Sequence, residues 1–122
     1  LRRTRTNTPL QALNLMNDPT YVEAARFLAG RMLTESEPDL APQLAYGFRL
    51  VLSRSPEPAE IEVLTSAYDR SQNDFRSDPA AATELLAIGA RRSPETIDPV
   101  QLAAMTVVAS TILNLDEAVM KE

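Results

Sequence analysis

Residues 98–115, with the sequence DPVQLAAMTVVASTILNL, contain no charged side chain after Asp98. At about 100° per residue, a helix over this stretch carries one broad apolar face and a narrower stripe of smaller residues. The broad face holds Leu102, Met105, Val108, Ala109, Ile112, Leu113 and Leu115, and the stripe holds Ala103, Val107, Ser110 and Asn114. A helix that is apolar nearly all round is normally buried. The sequence therefore predicts a central core helix over residues 99–115.

The same stretch approaches the length of a membrane-spanning helix, which needs about 20 mainly apolar residues. Polar side chains nevertheless recur along it, at Gln101, Thr106, Ser110, Thr111 and Asn114. Three of the remaining residues are Ala, which favours membrane insertion less than Leu or Ile does. We therefore expect the core of a helical domain and no membrane span.

Helix start signals recur along the rest of the chain. The pair Asp-Pro occurs at positions 18, 78 and 98, and Thr8-Pro9 is a similar pair. Such a pair suits a helix start. The side-chain oxygen of the first residue can accept a hydrogen bond from a backbone N–H, and Pro has no N–H to leave unpaired. Apolar residues at helical spacing follow these starts, and no alternating strand pattern occurs. We predict an all-α fold in which residues 1–122 form one compact bundle of five to six helices.

Two local features refine this arrangement. Gly47 lies inside a predicted helix over residues 40–52, where Gly costs about 1 kcal/mol relative to Ala. We expect Gly47 to let a neighbouring helix approach closely. Beyond Leu115, Asp116 is predicted to cap a separate final turn.

The charge is unevenly distributed along the chain. The formal net charge is −5, yet Arg2, Arg3 and Arg5 all lie in the first five residues, which leaves −8 on the remainder. Nucleic-acid binding needs a clustered positive field, so an acidic body argues against a nucleic-acid partner. The chain also has no Cys and no His. It therefore has no thiolate nucleophile and lacks the commonest general base and metal ligand.

A polar stripe near the amino terminus is the best candidate for a binding surface. Asn7, Gln11, Asn14 and Asp18 are spaced four, three and four residues apart, and Arg5 adjoins them in the basic arm. Amides and a carboxylate on one helical face can hydrogen-bond a neighbouring domain, a peptide backbone or a sugar. Two other interpretations stay open: the stripe is solvated helix surface, and Asp18 is the cap of the next helix.

Other acidic groups are weaker candidates for chemistry. Asn114, Asp116 and Glu117 offer oxygen ligands for a hard cation, but their spacing does not match a calcium-binding loop. Glu60 and Glu62, two residues apart, point to different sides of a helix and do not form an acid–base pair. We therefore predict no catalytic residue and no metal ligand in this chain.

Three segments carry a family resemblance. They are TNTPLQALNLMND at residues 6–18, FRLVL at residues 48–52 with Arg54 and Pro56 after it, and ILNLDE at residues 112–117. In this order they resemble the C-terminal domain of unknown function in large planctomycete-type proteins. The N-terminal part of those proteins is a cytochrome c-like module. The resemblance implies that the chain is the C-terminal part of such a multidomain protein.

The resemblance implies little chemistry for these residues. No catalytic residues are established for the family, and the haem c of its members belongs to the separate N-terminal module, so no cofactor is expected here. Members look exported, which implies a periplasmic or extracellular location. We therefore expect a non-catalytic helical docking module whose partners are upstream domains of the same chain or another protein. The alternative is a contribution to an enzyme site, directed toward polysaccharide and completed by upstream residues.

Overall fold

The computed structural model describes residues 19–88 and 97–120, and for residues 116–120 it describes the backbone. These residues form five helices: α1 (Pro19–Thr34), α2 (Leu40–Leu52), α3 (Pro58–Ser77), α4 (Pro79–Leu86) and α5 (Pro99–Met120). There is no strand in the described ranges, which confirms the all-α prediction. The first predicted helix, after Thr8-Pro9, lies outside the described residues.

Helix α5 is the centre of the bundle, as the sequence predicts. Residues 102–110 are buried without interruption, so the broad apolar face and the stripe of smaller residues are both covered. The other four helices all contact α5, most extensively α1 and α3. Each fully buried aliphatic side chain, such as Leu102 or Ile112, contributes about 1.5–3 kcal/mol to folding.

The predicted end of the central helix is wrong. Helix α5 continues to Met120, five residues beyond Leu115, and Asp116 lies inside the continuous helix. The residues after Leu115 include Glu117, Ala118 and Met120, which favour helix, and neither Gly nor Pro interrupts them. Asp116 therefore does not start a separate turn.

The hydroxyl groups on α5 differ in how they are satisfied. Thr106 Oγ1 donates to the Leu102 carbonyl at 2.7 Å, and Thr111 Oγ1 donates to the Val107 carbonyl at 3.2 Å. Ser110 Oγ is fully buried and has no hydrogen-bond partner in the described part of the chain. The Ser110 carbonyl accepts from Tyr21 Oη at 2.9 Å, which links α1 to α5.

None of the described helices combines the length and the apolar character that a membrane span requires.

The predicted start signals cap the helices where the structure describes them. Asp78 Oδ1 accepts from the Ala81 N–H at 3.3 Å, and Asp98 Oδ2 accepts from the Gln101 N–H at 3.0 Å. In both cases Pro is the first helical residue, where its missing N–H leaves no intrahelical bond unmade. These two Asp-Pro predictions are confirmed.

The helices around α5 each present a narrow apolar seam. The seam of α1 is Val22, Ala25, Leu28, Ala29 and Met32; α2 adds Leu44 and Phe48, α3 adds Leu64, Tyr68 and Phe75, and α4 adds Ala82 and Leu85. This spacing of three and four residues follows the period of an α-helix. One face of each helix is therefore in the core, and its charged residues lie mainly on the other faces.

Gly47 is the point of close approach between α1 and α2. A Cβ atom at this position would lie 2.7 Å from both Cγ and Cε of Met32, well inside van der Waals contact. Met32 is fully buried, so its side chain has little room to move away. The prediction that Gly47 admits a neighbouring helix is confirmed.

Candidate functional site

The residues predicted to form the docking surface lie outside the described part of the chain. They are Arg5, Asn7, Gln11, Asn14 and Asp18. Their role in docking therefore stays a prediction. Three polar clusters do lie within the described residues, and each joins one helix to another.

The first cluster is at the connection between α2 and α3. Ser53 ends α2 in the left-handed conformation, with φ 61° and ψ 26°, and its N–H donates to the Arg49 carbonyl at 3.0 Å. The guanidinium of Arg54 lies over the Phe48 ring, 4.8 Å from its centroid, within the range of a cation–π contact. The left-handed Ser53 is therefore followed by Arg54, whose guanidinium packs against Phe48 of α2.

Arg54 also binds Glu60 of α3 in a bidentate pair. Its Nη1 donates to Glu60 Oε1 at 3.0 Å and its Nη2 donates to Oε2 at 2.8 Å. The Glu57 N–H donates to Glu60 Oε1 at 2.8 Å, which satisfies one unpaired donor at the start of α3. These hydrogen bonds, the one from Arg54 first, lower the pKa of Glu60 from 4.5 to about 2. Arg54 and Glu60 thus link the end of α2 to the first turn of α3.

The second cluster joins the end of α1 to α2. Arg31 Nε donates to the two carboxylate oxygens of Glu35 at 3.0 and 3.2 Å, and Tyr46 Oη donates to Oε1 of the same carboxylate. The hydrogen bond from Tyr46 is the main cause of the lowered pKa of Glu35, and the same bond raises the pKa of Tyr46. This exposed network holds the loop after α1 against the middle of α2.

The third cluster surrounds Arg26, a charged residue that is only 4% exposed. Its Nη1 donates to the Leu86 carbonyl at 2.8 Å and to the Ile88 carbonyl at 2.7 Å. These carbonyls lie at the carboxyl end of α4, where the helix dipole favours a positive charge. Arg26 therefore attaches the end of α4 to α1.

Sequence reasoning missed the role of Arg26, although one signal was available. Arg26 is four residues after Val22 and three before Ala29, so helical spacing places it on the buried face of α1. A buried Arg needs hydrogen-bond acceptors. Helical spacing alone does not show which carbonyls accept.

Of the weaker candidates, the structure describes the side chains of Glu60, Glu62 and Asn114. Glu60 is paired with Arg54, whereas Glu62 is exposed, so the two carboxylates have separate environments. In the described ranges, no group of three or more acidic side chains could hold a metal ion. Asn114 is half-buried, and the side chains of Asp116 and Glu117 lie outside the description.

Replacing Arg26 tests the third cluster. Arg26→Met keeps most of the apolar stem but leaves two carbonyl groups at the end of α4 without their donor, which should lower the free energy of unfolding by about 2–4 kcal/mol. Urea denaturation measures this change. Arg70→Met, at an exposed position of α3, is the matched control and should change stability little. A loss of less than about 0.5 kcal/mol for Arg26→Met would contradict the assigned role.

The Arg54–Glu60 pair predicts an acid response. The pKa of Glu60 is lower in the folded chain, at about 2, than its ordinary value of 4.5. The stability from this group is therefore present above pH 4.5 and is lost as the pH falls toward 2. Glu60→Gln should lower Tm at pH 7 and flatten the decline of Tm between pH 5 and pH 2.

Thermal melts at low salt check this response, because salt screens an exposed pair. Glu62→Gln removes an exposed carboxylate on the same helix and should keep the wild-type pH profile. Parallel Tm curves for Glu60→Gln and wild type across the whole range would show that Glu60 does not contribute to acid sensitivity.

Comparison with known proteins places the chain in a family. No curated protein and no solved structure matches it significantly. The family model of PSD1, a protein of unknown function (DUF1553), matches residues 1–68. The matched part is more than half of the chain and contains the polar stripe, α1, α2, the Arg54–Glu60 pair and the first half of α3. This chain therefore belongs to the PSD1 family of proteins of unknown function (DUF1553).

Proposed function

We propose that this chain is a non-catalytic helical module that docks onto another domain through its amino-terminal polar stripe. The stripe is Asn7, Gln11, Asn14 and Asp18, with Arg5 beside it. The partner is the preceding part of a longer exported protein, or a separate protein that takes its place. A cytochrome c-like module farther upstream is part of the same proposal, because the sequence resemblance implies it.

The distribution of charge carries this proposal. The described residues contain six Arg and fourteen Asp or Glu, so they have a net charge of −8. Residues 1–18 contain three Arg and one Asp. The first 18 residues are thus positive along the sequence while the described residues are negative, and a basic segment favours an acidic or polar partner surface.

The polar clusters of the bundle give further support. Arg26, Arg54 with Glu60, and Arg31 with Glu35 all bond to neighbouring helices or loops of the same bundle. These groups therefore serve to fix the arrangement of helices. A rigid bundle is a suitable platform for a binding surface, because less ordering entropy is lost when the partner docks. No specific contact within the described ranges favours the alternative of a polysaccharide-directed enzyme site.

The double change Gln11→Ala with Asn14→Ala tests the docking surface. Amides that face water should be nearly neutral to replacement, whereas amides buried against a partner cost about 1–3 kcal/mol each when removed. The Tm of this chain alone should stay within about 1 °C of wild type. The longer parent protein carrying the double change should lose stability. Alternatively, this chain carrying the double change should bind a separately supplied upstream domain more weakly.

A matched control separates docking from a general effect of lost polar groups. Ser66→Ala with Asn73→Ala changes two exposed polar residues of α3 and should be neutral in both contexts. Asp18 is left unchanged, because its cap position would affect folding in either context. If Gln11→Ala with Asn14→Ala changes stability equally in this chain alone and in the longer parent protein, the stripe is ordinary solvated surface.

A further inference from the structure

Helix α4 is held in the bundle by few apolar side chains. It is the shortest of the five described helices, with eight residues, whereas α5 has 22. Its buried residues are Ala82 and Leu85, whereas α1 has six buried residues. An isolated helix of fewer than about 12 residues is marginal in water. The position of α4 therefore depends strongly on what holds its two ends.

The amino-terminal end of α4 is joined to α3 through a single residue, Asp78. This residue ends α3 and begins α4, and its backbone is not helical, with φ −140° and ψ 78°. The Ala81 N–H donates to the Asp78 carbonyl at 3.0 Å and to its Oδ1 at 3.3 Å. Both bonds lie within the first turn of α4, so they can persist when the helix moves relative to α3. Residues at the end of an element often serve as hinges in this way.

The carboxyl-terminal end of α4 is held by Arg26 of α1. The N–H groups of Ala87 and Ile88 donate to the carbonyls of residues 83–85, at distances between 3.0 and 3.3 Å. These bonds close the helix end within its own chain segment. The Leu86 and Ile88 carbonyls accept from Arg26 Nη1 instead, which joins this end of α4 to another helix.

A charged side chain makes this contact releasable. Arg26 is 4% exposed, so its guanidinium loses most of its hydration while α4 is in place. When the two carbonyls move away, water hydrates both partners, and this hydration offsets the lost hydrogen bonds. An apolar side chain at the same position would gain nothing from exposure to water. We therefore expect the opening of α4 to cost less free energy than unfolding of the whole bundle.

We propose that α4 is a strap over α5 that opens and closes as one unit, with Asp78 as its hinge and Arg26 as its latch. Helix α4 packs on α5 and α3, so opening uncovers apolar surface on both. The other four helices keep their contacts with one another, and the uncovered surface is accessible while the strap is open. The strap does not involve the amino-terminal stripe, so this inference does not depend on the docking function.

Thiol labelling of the full chain tests the strap, because the chain has no Cys of its own. Ala82→Cys places a thiol on the buried side of α4, and Ala25→Cys on α1 is the matched control, since both alanines are fully buried. Circular dichroism checks that both variants are folded. Under native conditions, iodoacetamide should label the Ala82→Cys variant at least about tenfold faster, because α1 opens with the whole bundle. Equal labelling rates would overturn the proposal.

A second pair of changes, made in the Ala82→Cys variant, tests the latch. Arg26→Met should speed labelling at least about tenfold, because the two carbonyls lose their donor while α4 is closed. Leu44→Ala is the control, since Leu44 is fully buried in α2, which packs on α1, α3 and α5. Its loss weakens the closed and open forms alike, so labelling should change less than about twofold.

Two results of this second comparison would contradict the proposal. Equal acceleration by Leu44→Ala and Arg26→Met would show that Ala82 becomes accessible through global unfolding. An unchanged labelling rate with Arg26→Met would show that Arg26 is not the latch. If Arg26→Met does not fold, the comparison of Ala82→Cys with Ala25→Cys still decides whether α4 opens separately.

Discussion

The burial of α5 on all sides is the constraint on which the rest of the bundle depends. Residues 102–110 are all buried, and Ala103, Ala104, Ala109 and Ser110 among them are small. Small residues on a central helix allow several neighbours to approach its axis closely, so the helices around it need to supply only narrow apolar seams. This explains how α3, which is polar over most of its surface, holds its place through Leu64, Tyr68 and Phe75.

Polar contacts then link the outer helices to one another. Arg26 joins the end of α4 to α1, and the Arg54–Glu60 pair links the end of α2 to the first turn of α3. The part that matches the PSD1 family ends at residue 68, before α4 and α5 begin. Within that matched part, the segment FRLVL with Arg54, which carries part of the family resemblance, has a structural role. Its Phe48 lies in the core, and its Arg54 joins two helices.

Local signals predicted the helix starts well, because an Asp-Pro cap acts within three or four residues, as at Asp78 and Asp98. Gly47 was also predictable, since a mid-helix Gly needs a packing reason. The partners of Arg26 were not, because the accepting carbonyls are about sixty residues away. The end of α5 was misplaced because Asp116 resembles a cap, although its neighbours favour helix. The predicted stripe residues lie outside the described ranges.

Native-state hydrogen exchange tests the central role of α5 most directly. Amides in a core element exchange only through global unfolding, whereas amides near the end of a polar helix exchange through local opening. We expect residues 102–112 to exchange most slowly, with opening free energies equal to the global value. Residues 70–77 of α3 should exchange faster. Exchange in α5 as fast as at the end of α3 would contradict the account, because α5 would then not be the element that holds the bundle together.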